Sequence, residues 1–280
     1  MRAARESELF EHGHRIFEKY CHSLERILVA QFRFQYSDVV CMSVPKSGRT
    51  WLRNIVGKIL CDLDGVPFSQ ERIQRCGELS TDFYFSHSFW ITMTEKNRWK
   101  RLGHTMPKSI GDKKHFLLLV RDPRDVVVSM YYHFKYRANI YDGTISDFIS
   151  HENWGIKKIV DCMIYSHKYV EEHHDKSIVI RFEDLKVDTV SEVERIIDVL
   201  LPNNVNRRLI SAAVDFCSIE NMKKREQYSK SDIFRQANDN PNSAKVRKGK
   251  IGGYKEEFSA SECSFLDKEV ERLQKMFGYE

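Results

Sequence analysis

The order of apolar and polar positions divides an early part of the chain into a strand, a short polar loop and a helix. Residues 39–44 form an apolar run, and residues 51–63 then place apolar side chains at helical spacing. A short apolar run bounded by turn residues is typical of a buried strand, and a 3.6-residue period is typical of a helix packed on one face. The pattern therefore predicts strand 38–44, a tight basic loop at 45–50 and helix 51–63.

Further apolar runs predict strands of the same kind. Residues 115–120 form a continuous run, as expected of a central parallel strand, and residues 177–182 form another. Residues 83–85 predict a short strand that leads to His87. Because strands alternate with helices, we predict an α/β protein with a parallel β-sheet flanked by helices. The remaining helices are predicted at 5–31, 123–136, 155–173, 190–201, 206–214, 219–226 and 259–276, and long loops at 91–113 and 228–255.

The composition is that of a globular protein. The chain has 280 residues, of which 41% are hydrophobic and 30% charged, enough to bury a sizeable core. No apolar run reaches membrane-spanning length, and residues 1–20 lack the apolar centre of a signal peptide. The length allows one large domain or two small ones, and we expect a cytoplasmic location. The seven cysteines are scattered without a C-x-x-C pair, so neither a zinc site nor a disulfide framework is expected.

The charge balance favours an anionic ligand. The net charge of +5 fits such a ligand without requiring nucleic acid. Basic residues cluster at 245–250, and a nucleic-acid-binding patch is the competing interpretation of that cluster. Interleaved aromatic residues and a known binding module are missing there, so no nucleic-acid partner is expected.

The loop at 45–50 has the composition of an oxyanion cradle. It reads Pro-Lys-Ser-Gly-Arg-Thr before a helix, whose first amides have no intrahelical partner and can hold an anion. Ser47 and Gly48 let the backbone wrap closely, while Lys46 adds a mobile charge. The nucleoside-triphosphate loop G-x-x-x-x-G-K-[ST] is absent, because the lysine here precedes the glycine. An ordinary strand–helix turn with a solvated lysine is the alternative.

Two more segments are candidate anion sites. Arg121 stands at a strand end, where its planar fork can hold a phosphate, and Ser129 lies about two turns into the next helix. The alternative is a structural Arg–Asp pair at the helix start, with Ser129 in the core. Residues 247–255 read R-K-G-K-I-G-G-Y-K, and a solvated charge run is the alternative there.

In their order along the chain, these three segments resemble the donor-binding motifs of sulfotransferases that use PAPS, 3′-phosphoadenosine-5′-phosphosulfate. The first is similar to the 5′-phosphosulfate loop, and the second to the 3′-phosphate motif with its arginine-to-serine spacing of eight. The third is similar to the C-terminal Arg-Lys-Gly segment that closes over the 3′-phosphate. The resemblance spans about residues 38–260. It implies a single domain over residues 1–280 with a P-loop-like three-layer sandwich of the sulfotransferase type. It also implies PAPS as donor, PAP (adenosine 3′,5′-bisphosphate) as product, and no metal.

Weaker similarities add residues near the adenine. Trp51 matches the family's adenine-stacking tryptophan, and Phe182 stands where the family has a tyrosine after a strand. Ile219 replaces the phenylalanine of a Thr-Ser-Phe-x-x-Met segment. The donor-binding residues that the resemblance implies are Lys46, Ser47, Gly48, Arg49, Thr50, Trp51, Arg121, Ser129, Phe182, Cys217, Ser218, Ile219, Met222, Arg247, Lys248 and Gly249.

The reaction implied by the resemblance is sulfuryl transfer to a hydroxyl or amine, with loss of the acceptor proton and departure of a phosphate oxygen. Lys46 is expected to stabilise the leaving oxygen. His87, in the sequence Phe-Ser-His-Ser-Phe, is similar to the family's catalytic histidine, and His104 is its nearest rival. The expected catalytic residues are Lys46, His87 and Ser129.

Several departures from the family pattern leave alternatives open. Arg49 stands where threonine or serine is usual, and it either adds charge to the donor clamp or binds an anionic acceptor. Gly253 and Tyr254 replace the usual Asp-Trp, which leaves the geometry of that segment open. The family's C-terminal dimerisation motif is absent, so a monomer and a homodimer both stay open. Loop aromatics favour a small organic acceptor. A P-loop kinase or hydrolase and a non-catalytic nucleotide-binding protein are the alternative functions.

Overall fold

The apolar runs assemble into one parallel sheet. The computed structural model describes residues 36–69, 79–86, 114–172, 174–201, 205–228, 238–245 and 247–279, together with Arg33 and Ile73. Its strands are β1 (Val39–Ser43), β2 (Phe83–Ser86), β3 (His115–Val120) and β4 (Ser177–Arg181). All neighbours pair in parallel, in the order β2-β1-β3-β4. The strands that the apolar runs predict are therefore confirmed.

Helices follow the strands at the positions that place the site. Helix α1 (Arg49–Leu63) follows β1, and α2 (Pro123–Tyr132) follows β3. Asp122 caps α2, because its Oδ1 accepts a hydrogen bond from the Arg124 amide at 2.9 Å. The remaining α-helices are α3 (Ile145–Ile149), α4 (Ile156–Glu171), α5 (Phe182–Val187), α6 (Thr189–Leu200), α7 (Arg207–Phe216), α8 (Ile219–Tyr228), α9 (Ala260–Val270) and α10 (Gln274–Phe277). Shorter 3₁₀ turns cover His174–Lys176, Pro241–Ser243, Gly253–Glu256 and Glu271–Leu273.

The central strands bury side chains on both faces of the sheet. Even-numbered residues of β1 and β3, such as Val40 and Phe116, pack on α2, α4 and α9. Odd-numbered residues, such as Val39 and Leu117, pack on α1, α6 and α7. Helices therefore cover the sheet on both sides, which explains why these strands are apolar throughout rather than alternating. The predicted three-layer α/β fold is confirmed.

The structure differs from the predicted elements where a helix begins or changes pitch. The helix predicted to reach residue 136 is α-helical to Tyr132 and continues as a π-helical turn, His133–Arg137. The apolar run predicts that the strand extends from residue 177 to residue 182. In the structure β4 ends at Arg181, and helix α5 begins at Phe182. Helix α3 was not predicted, since its five residues are too short to show a period.

Some predicted segments lie outside the described residues. These are helix 5–31, loop 91–113, His87 and His104. No helix in the described ranges is long and apolar enough to cross a membrane.

Candidate active site

The basic loop after β1 has a left-handed backbone. Lys46 has φ 73 and Gly48 has φ 93, values that residues other than glycine rarely adopt. A β-carbon on Gly48 would also lie 2.5 Å from Cδ2 of Phe182. Helix α1 begins at Arg49 with no side-chain cap, so its first amides are left for an anion. The loop has the geometry of an oxyanion cradle.

Two polar side chains of this loop fit a bound anion. Ser47 is 1% exposed, and its Oγ makes no hydrogen bond within the described residues. Burial and the nearby charges of Arg137 and Arg121 lower the pKa of Lys46 to about 8. An anion placed beside Lys46 would favour its charged form. The side chains of Ser47 and Lys46 are therefore suited to bind an oxyanion in the loop at 45–50.

Arg121 joins three segments of the site. Its Nη1 donates to the Lys46 carbonyl at 3.3 Å, and its Nη2 donates to the Lys250 carbonyl at 3.0 Å. Its guanidinium lies 4.5 Å from the centre of the Phe182 ring. The Nε of Arg121 is buried without a hydrogen bond among the described atoms. Arg121 thus holds the basic loop, the C-terminal basic segment and α5 together, and its Nε keeps a donor for a phosphate oxygen.

Asp125 of α2 fixes the C-terminal basic segment. Its carboxylate accepts hydrogen bonds from the Gly252 amide at 2.8 Å and the Tyr254 amide at 3.1 Å. It also lies 3.7 Å from Nη2 of Arg121. Two hydrogen bonds to backbone amides therefore fix the conformation of residues 252–254. This conformation does not require the aspartate and tryptophan that the family usually has at positions 253 and 254.

The cations of this segment contact an acidic residue at the edge of the site. The Arg247 guanidinium lies 3.8 Å from the centre of the Tyr132 ring, and its Nη1 lies 3.8 Å from Oε1 of Glu257. The Nζ of Lys248 lies 3.2 Å from the same oxygen. Tyr132 donates to Glu257 at 2.8 Å, and burial together with this hydrogen bond raises the pKa of Tyr132 to about 12. Glu257 thus positions both cations.

Aromatic and aliphatic side chains form the other end of the site. The Trp51 Nε1 donates to the Cys217 carbonyl at 2.9 Å, and the Trp51 ring meets Phe182 edge-on with centroids 6.0 Å apart. Ile219 and Met222 of α8 lie beside them. The Cys217 side chain is fully buried and does not line the site. Cys217 therefore acts through its backbone carbonyl, which orients Trp51, and not through the side chain that the motif points to.

These groups surround a cavity of about 480 Å³, within the range of small-molecule sites. The structure does not place the predicted residues Ser47, Cys217 and Ser218 in this lining, and His87 lies outside the described residues. The predicted residues that line the cavity are Lys46, Gly48, Arg49, Thr50, Trp51, Arg121, Ser129, Phe182, Ile219, Met222, Arg247, Lys248 and Gly249.

His133 lines the cavity although the sequence pattern assigned it no role. It begins the π-helical turn. Burial, and then the charges of Lys46 and Arg137, lower the pKa of His133 to about 3, so its imidazole is neutral at neutral pH. His133 lies four residues after Ser129, and residues with this spacing share one face of a helix. The sequence could therefore have predicted that His133 lies beside Ser129. The predicted basic segments also contribute Pro45, Lys245, Lys250 and Gly253 to the lining. The other lining residues outside these segments and without a predicted role are Asp125, Val128, Tyr132, Phe134, Asn242, Ala244 and Glu257.

Within the part of the chain that the structure describes, no cluster of His, Cys, Asp and Glu is arranged to hold a metal ion.

Known proteins share both the sequence pattern and the fold. Residues 36–279 match the family described as Sulfotransferase domain. The chain is 26% identical over 271 residues to Sulfotransferase 1B1 of Canis lupus familiaris, which covers 91% of this chain and 89% of that protein. It is 26% identical over 258 residues to Sulfotransferase 1A1 of Bos taurus, with coverage of 86% and 84%.

Solved structures give the same architecture. The fold matches mouse sulfotransferase SULT7A1 complexed with PAP at a TM-score of 0.65, with 18% identity and 91% of each chain covered. It matches retinol dehydratase in a complex with retinol and PAP at a TM-score of 0.62, with 18% identity and coverage of 86% and 82%. At this identity the likeness supports the fold alone.

The fold is a parallel α/β sandwich, and the three basic segments of the chain line one cavity beside a strand-end loop. Because the family match spans most of the chain, the chain belongs to the sulfotransferase family. It is a PAPS-dependent sulfotransferase, and the function that the three motifs predict is confirmed.

Proposed function

We propose that PAPS occupies the described cavity, with its 5′-phosphosulfate on the loop at 45–50 and its 3′-phosphate beside Arg121, Ser129 and Arg247. The observation that carries this assignment is that three basic motifs, far apart in the sequence, line the same cavity. Arg121 lines the cavity, and its Nε has no hydrogen bond among the described residues; the same holds for the buried Oγ of Ser47 beside the lining, so both atoms are donors that an oxyanion in the loop would satisfy.

The adenine is proposed to lie at the aromatic end of the cavity. Trp51 and Phe182 offer ring surfaces there, and Ile219 and Met222 offer aliphatic ones. A flat base stacks favourably on such surfaces. Two solved structures of similar fold are complexes with PAP, the nucleotide proposed to lie here.

The proposed chemistry divides between two residues. The acceptor oxygen or nitrogen forms a bond to sulfur as the bond from sulfur to the donor's phosphate oxygen breaks. Lys46 stabilises the negative charge that the leaving oxygen gains. His87 accepts the proton that the acceptor loses. Ser129 acts with Arg121 by holding the 3′-phosphate, which fixes the donor for transfer.

The acceptor is proposed to be a small organic molecule with a hydroxyl or amine. Relatives include an Amine sulfotransferase of Oryctolagus cuniculus, 24% identical, and a Luciferin sulfotransferase of Photinus pyralis, also 24% identical. Members of the family thus act on unlike small acceptors. We further propose a single domain over residues 1–280 that works in the cytoplasm and has no nucleic-acid partner.

Donor binding tests this function directly. PAP is expected to raise the melting temperature of the protein, because a ligand selective for the folded state stabilises it. ATP is expected to raise it much less, since ATP lacks the 3′-phosphate that Arg121, Ser129 and Arg247 are proposed to bind. Differential scanning fluorimetry at matched ligand concentrations measures both shifts. Equal shifts for PAP and ATP would contradict the proposed binding mode.

Asp125→Ala tests how the C-terminal segment is held. The variant loses the two hydrogen bonds to the amides of Gly252 and Tyr254, so we expect PAP to bind about tenfold more weakly. Isothermal titration calorimetry measures the affinity. Asp267→Ala is the control, because Asp267 contacts Arg124 at 2.5 Å without lining the cavity. An equal loss in the two variants would show that general destabilisation, and not the segment, explains the effect.

A further inference from the structure

Apart from Lys46 and Lys250, the positive side chains in and near the cavity fall into two groups. Arg121, Arg247 and Lys248 line the cavity where the 3′-phosphate of the donor is proposed to bind. A second group, which we call the acceptor-side cations, consists of Arg49 and Lys245 in the cavity lining, and of Arg53 and Arg137, which lie near Lys245 outside the lining. The side chains of this second group have no role in the proposed donor contacts. We therefore ask whether they bind the acceptor, which is the second substrate of the reaction.

Arg49 extends from the start of α1 to the end of β2. Its Nη1 donates to the Phe85 carbonyl at 3.0 Å, and Phe85 precedes His87 by two positions in the sequence. Strands β2 and β3 lie on opposite sides of β1, so the Arg49 guanidinium lies on the β2 side of the basic loop and Arg121 on the β3 side. The Arg49 amide can thus serve the donor while its guanidinium points to the acceptor side.

Arg53 lies one turn further along the same face of α1. It is 6% exposed, and its Nε and Nη2 make no hydrogen bond within the described residues. Burial lowers the pKa of Arg49 and of Arg53 to about 10, and in Arg49 the charge of Arg53 adds to the effect. A guanidinium offers a planar fork of donors that matches the oxygens of a carboxylate or phosphate.

Lys245 and Arg137 add two cations next to α8. Burial and the charges of Arg53, Lys46 and Arg137 lower the pKa of Lys245 to about 7. Glu226 is the carboxylate at this wall, where it accepts the Lys245 amide at 2.5 Å and lies 3.8 Å from Nη1 of Arg137. Counted over the described residues, the wall carries more positive than negative charge.

We propose that the acceptor carries an oxyanion, namely a carboxylate, phosphate or sulfate group, that the acceptor-side cations bind while the reacting hydroxyl or amine faces Lys46. This assignment rests on the proposed function, which places the donor on the other side of Lys46. Crowding buried cations costs free energy unless an anion lies among them, and the acceptor would supply that anion on binding. Charge complementarity of this kind also selects against neutral competitors.

Four phenols that differ in one substituent test the assignment. They are 4-hydroxybenzoate, 4-hydroxyphenyl phosphate, 4-hydroxyphenyl sulfate and the neutral 4-hydroxybenzamide. Calorimetry on PAP-saturated protein gives their affinities, and turnover with PAPS gives kcat/KM. We expect at least one anionic phenol to bind about tenfold more tightly than the amide. The ranking of the three anionic phenols then identifies the preferred anion.

Substitutions test whether the acceptor-side cations cause the preference for an anionic phenol over the neutral amide. Lys245→Met and Arg53→Met are each expected to reduce the anionic preference to about threefold or less, while PAP affinity changes by less than about twofold. Lys255→Met removes one charge from an exposed position outside the cavity lining. This control is expected to keep the full preference.

Each contrary result has a distinct meaning. Equal affinities of all four phenols, or failure of every anionic phenol to bind PAP-saturated protein, overturn the anionic acceptor and leave the proposed donor site intact. A preference that survives in both Lys245→Met and Arg53→Met overturns the assignment to these residues. Failure of PAP itself to bind contradicts the proposed function instead, so the two are tested separately.

Discussion

A Lys46→Met variant is expected to lose about 10²–10³-fold in kcat while it keeps most of its affinity for PAP. Lys46 sits in the oxyanion loop, where its ammonium can meet the charge that develops on the leaving oxygen. That charge is small in the bound donor and largest in the transition state, so its loss lowers turnover more than binding. Steady-state rates with PAPS and calorimetry with PAP separate the two quantities.

A matched variant on the same helix controls for the loss of charge. Lys58 lies on α1 in an ion pair with Asp62 and does not line the cavity. Lys58→Met is expected to keep kcat within about twofold, as is usual for a surface substitution. If Lys46→Met abolished PAP binding but left kcat at saturating PAPS unchanged, the role of Lys46 would be binding and not stabilisation of the leaving oxygen.

Lys46 gives PAP binding a predictable dependence on pH. The pKa of Lys46 is lowered to about 8 in the ligand-free protein. A bound anion favours the charged lysine, so PAP binding raises the pKa of Lys46 and takes up a proton. PAP affinity should therefore fall as the pH rises through about 8. The decline should be shallower in Lys46→Met.

The oxyanion loop could be predicted because its signals are local. The apolar run of β1 and the helical period of α1 bracket the loop, and lysine, serine and glycine are the residues that such a turn needs. The left-handed φ values of Lys46 and Gly48 agree with that prediction. The order β2-β1-β3-β4 then brings the ends of β1 and β3 together, as a parallel sheet does.

Other parts of the site depend on contacts between distant segments. Asp125 holds the amides of residues 252 and 254, and no spacing rule connects positions so far apart. Cys217 contributes a backbone carbonyl, which any residue type would offer, so its identity gives no signal. The π-helical turn that presents His133 changes the hydrogen-bond spacing without changing composition. Tertiary structure, and not sequence pattern, determines these features.

The position of the Arg49 guanidinium distinguishes between the two roles that the sequence allowed for this residue. The sequence allowed either a role in the donor clamp or contact with an anionic acceptor. The hydrogen bond from its Nη1 to the Phe85 carbonyl holds the guanidinium on the β2 side, away from Arg121 at the end of β3, where the 3′-phosphate is proposed to bind. This direction favours the acceptor, whereas the Arg49 amide remains in the oxyanion loop.

We expect a His87→Ala variant to have a turnover rate at least about 10²-fold lower than that of the unmodified protein. We expect it to bind PAP nearly as tightly as the unmodified protein does. The variant removes the proposed base, while the proposed donor contacts belong to other segments. The rate should be measured with a weakly acidic acceptor hydroxyl, because an acidic one loses its proton with little assistance. PAP affinity from calorimetry shows whether the donor site is intact.

The pH profile distinguishes His87 from the other histidines. An unperturbed imidazole has a pKa of about 6.5, so kcat/KM should rise with pH through that region when His87 is the base. The pKa of His133 is lowered to about 3, and therefore His133 is already neutral where this rise occurs and cannot cause it. His133→Ala and His104→Ala are expected to keep the rise, and His87→Ala to lose it together with the rate. Near-normal turnover of His87→Ala, or a rise that disappears in His133→Ala instead, would assign the proton transfer to a different residue.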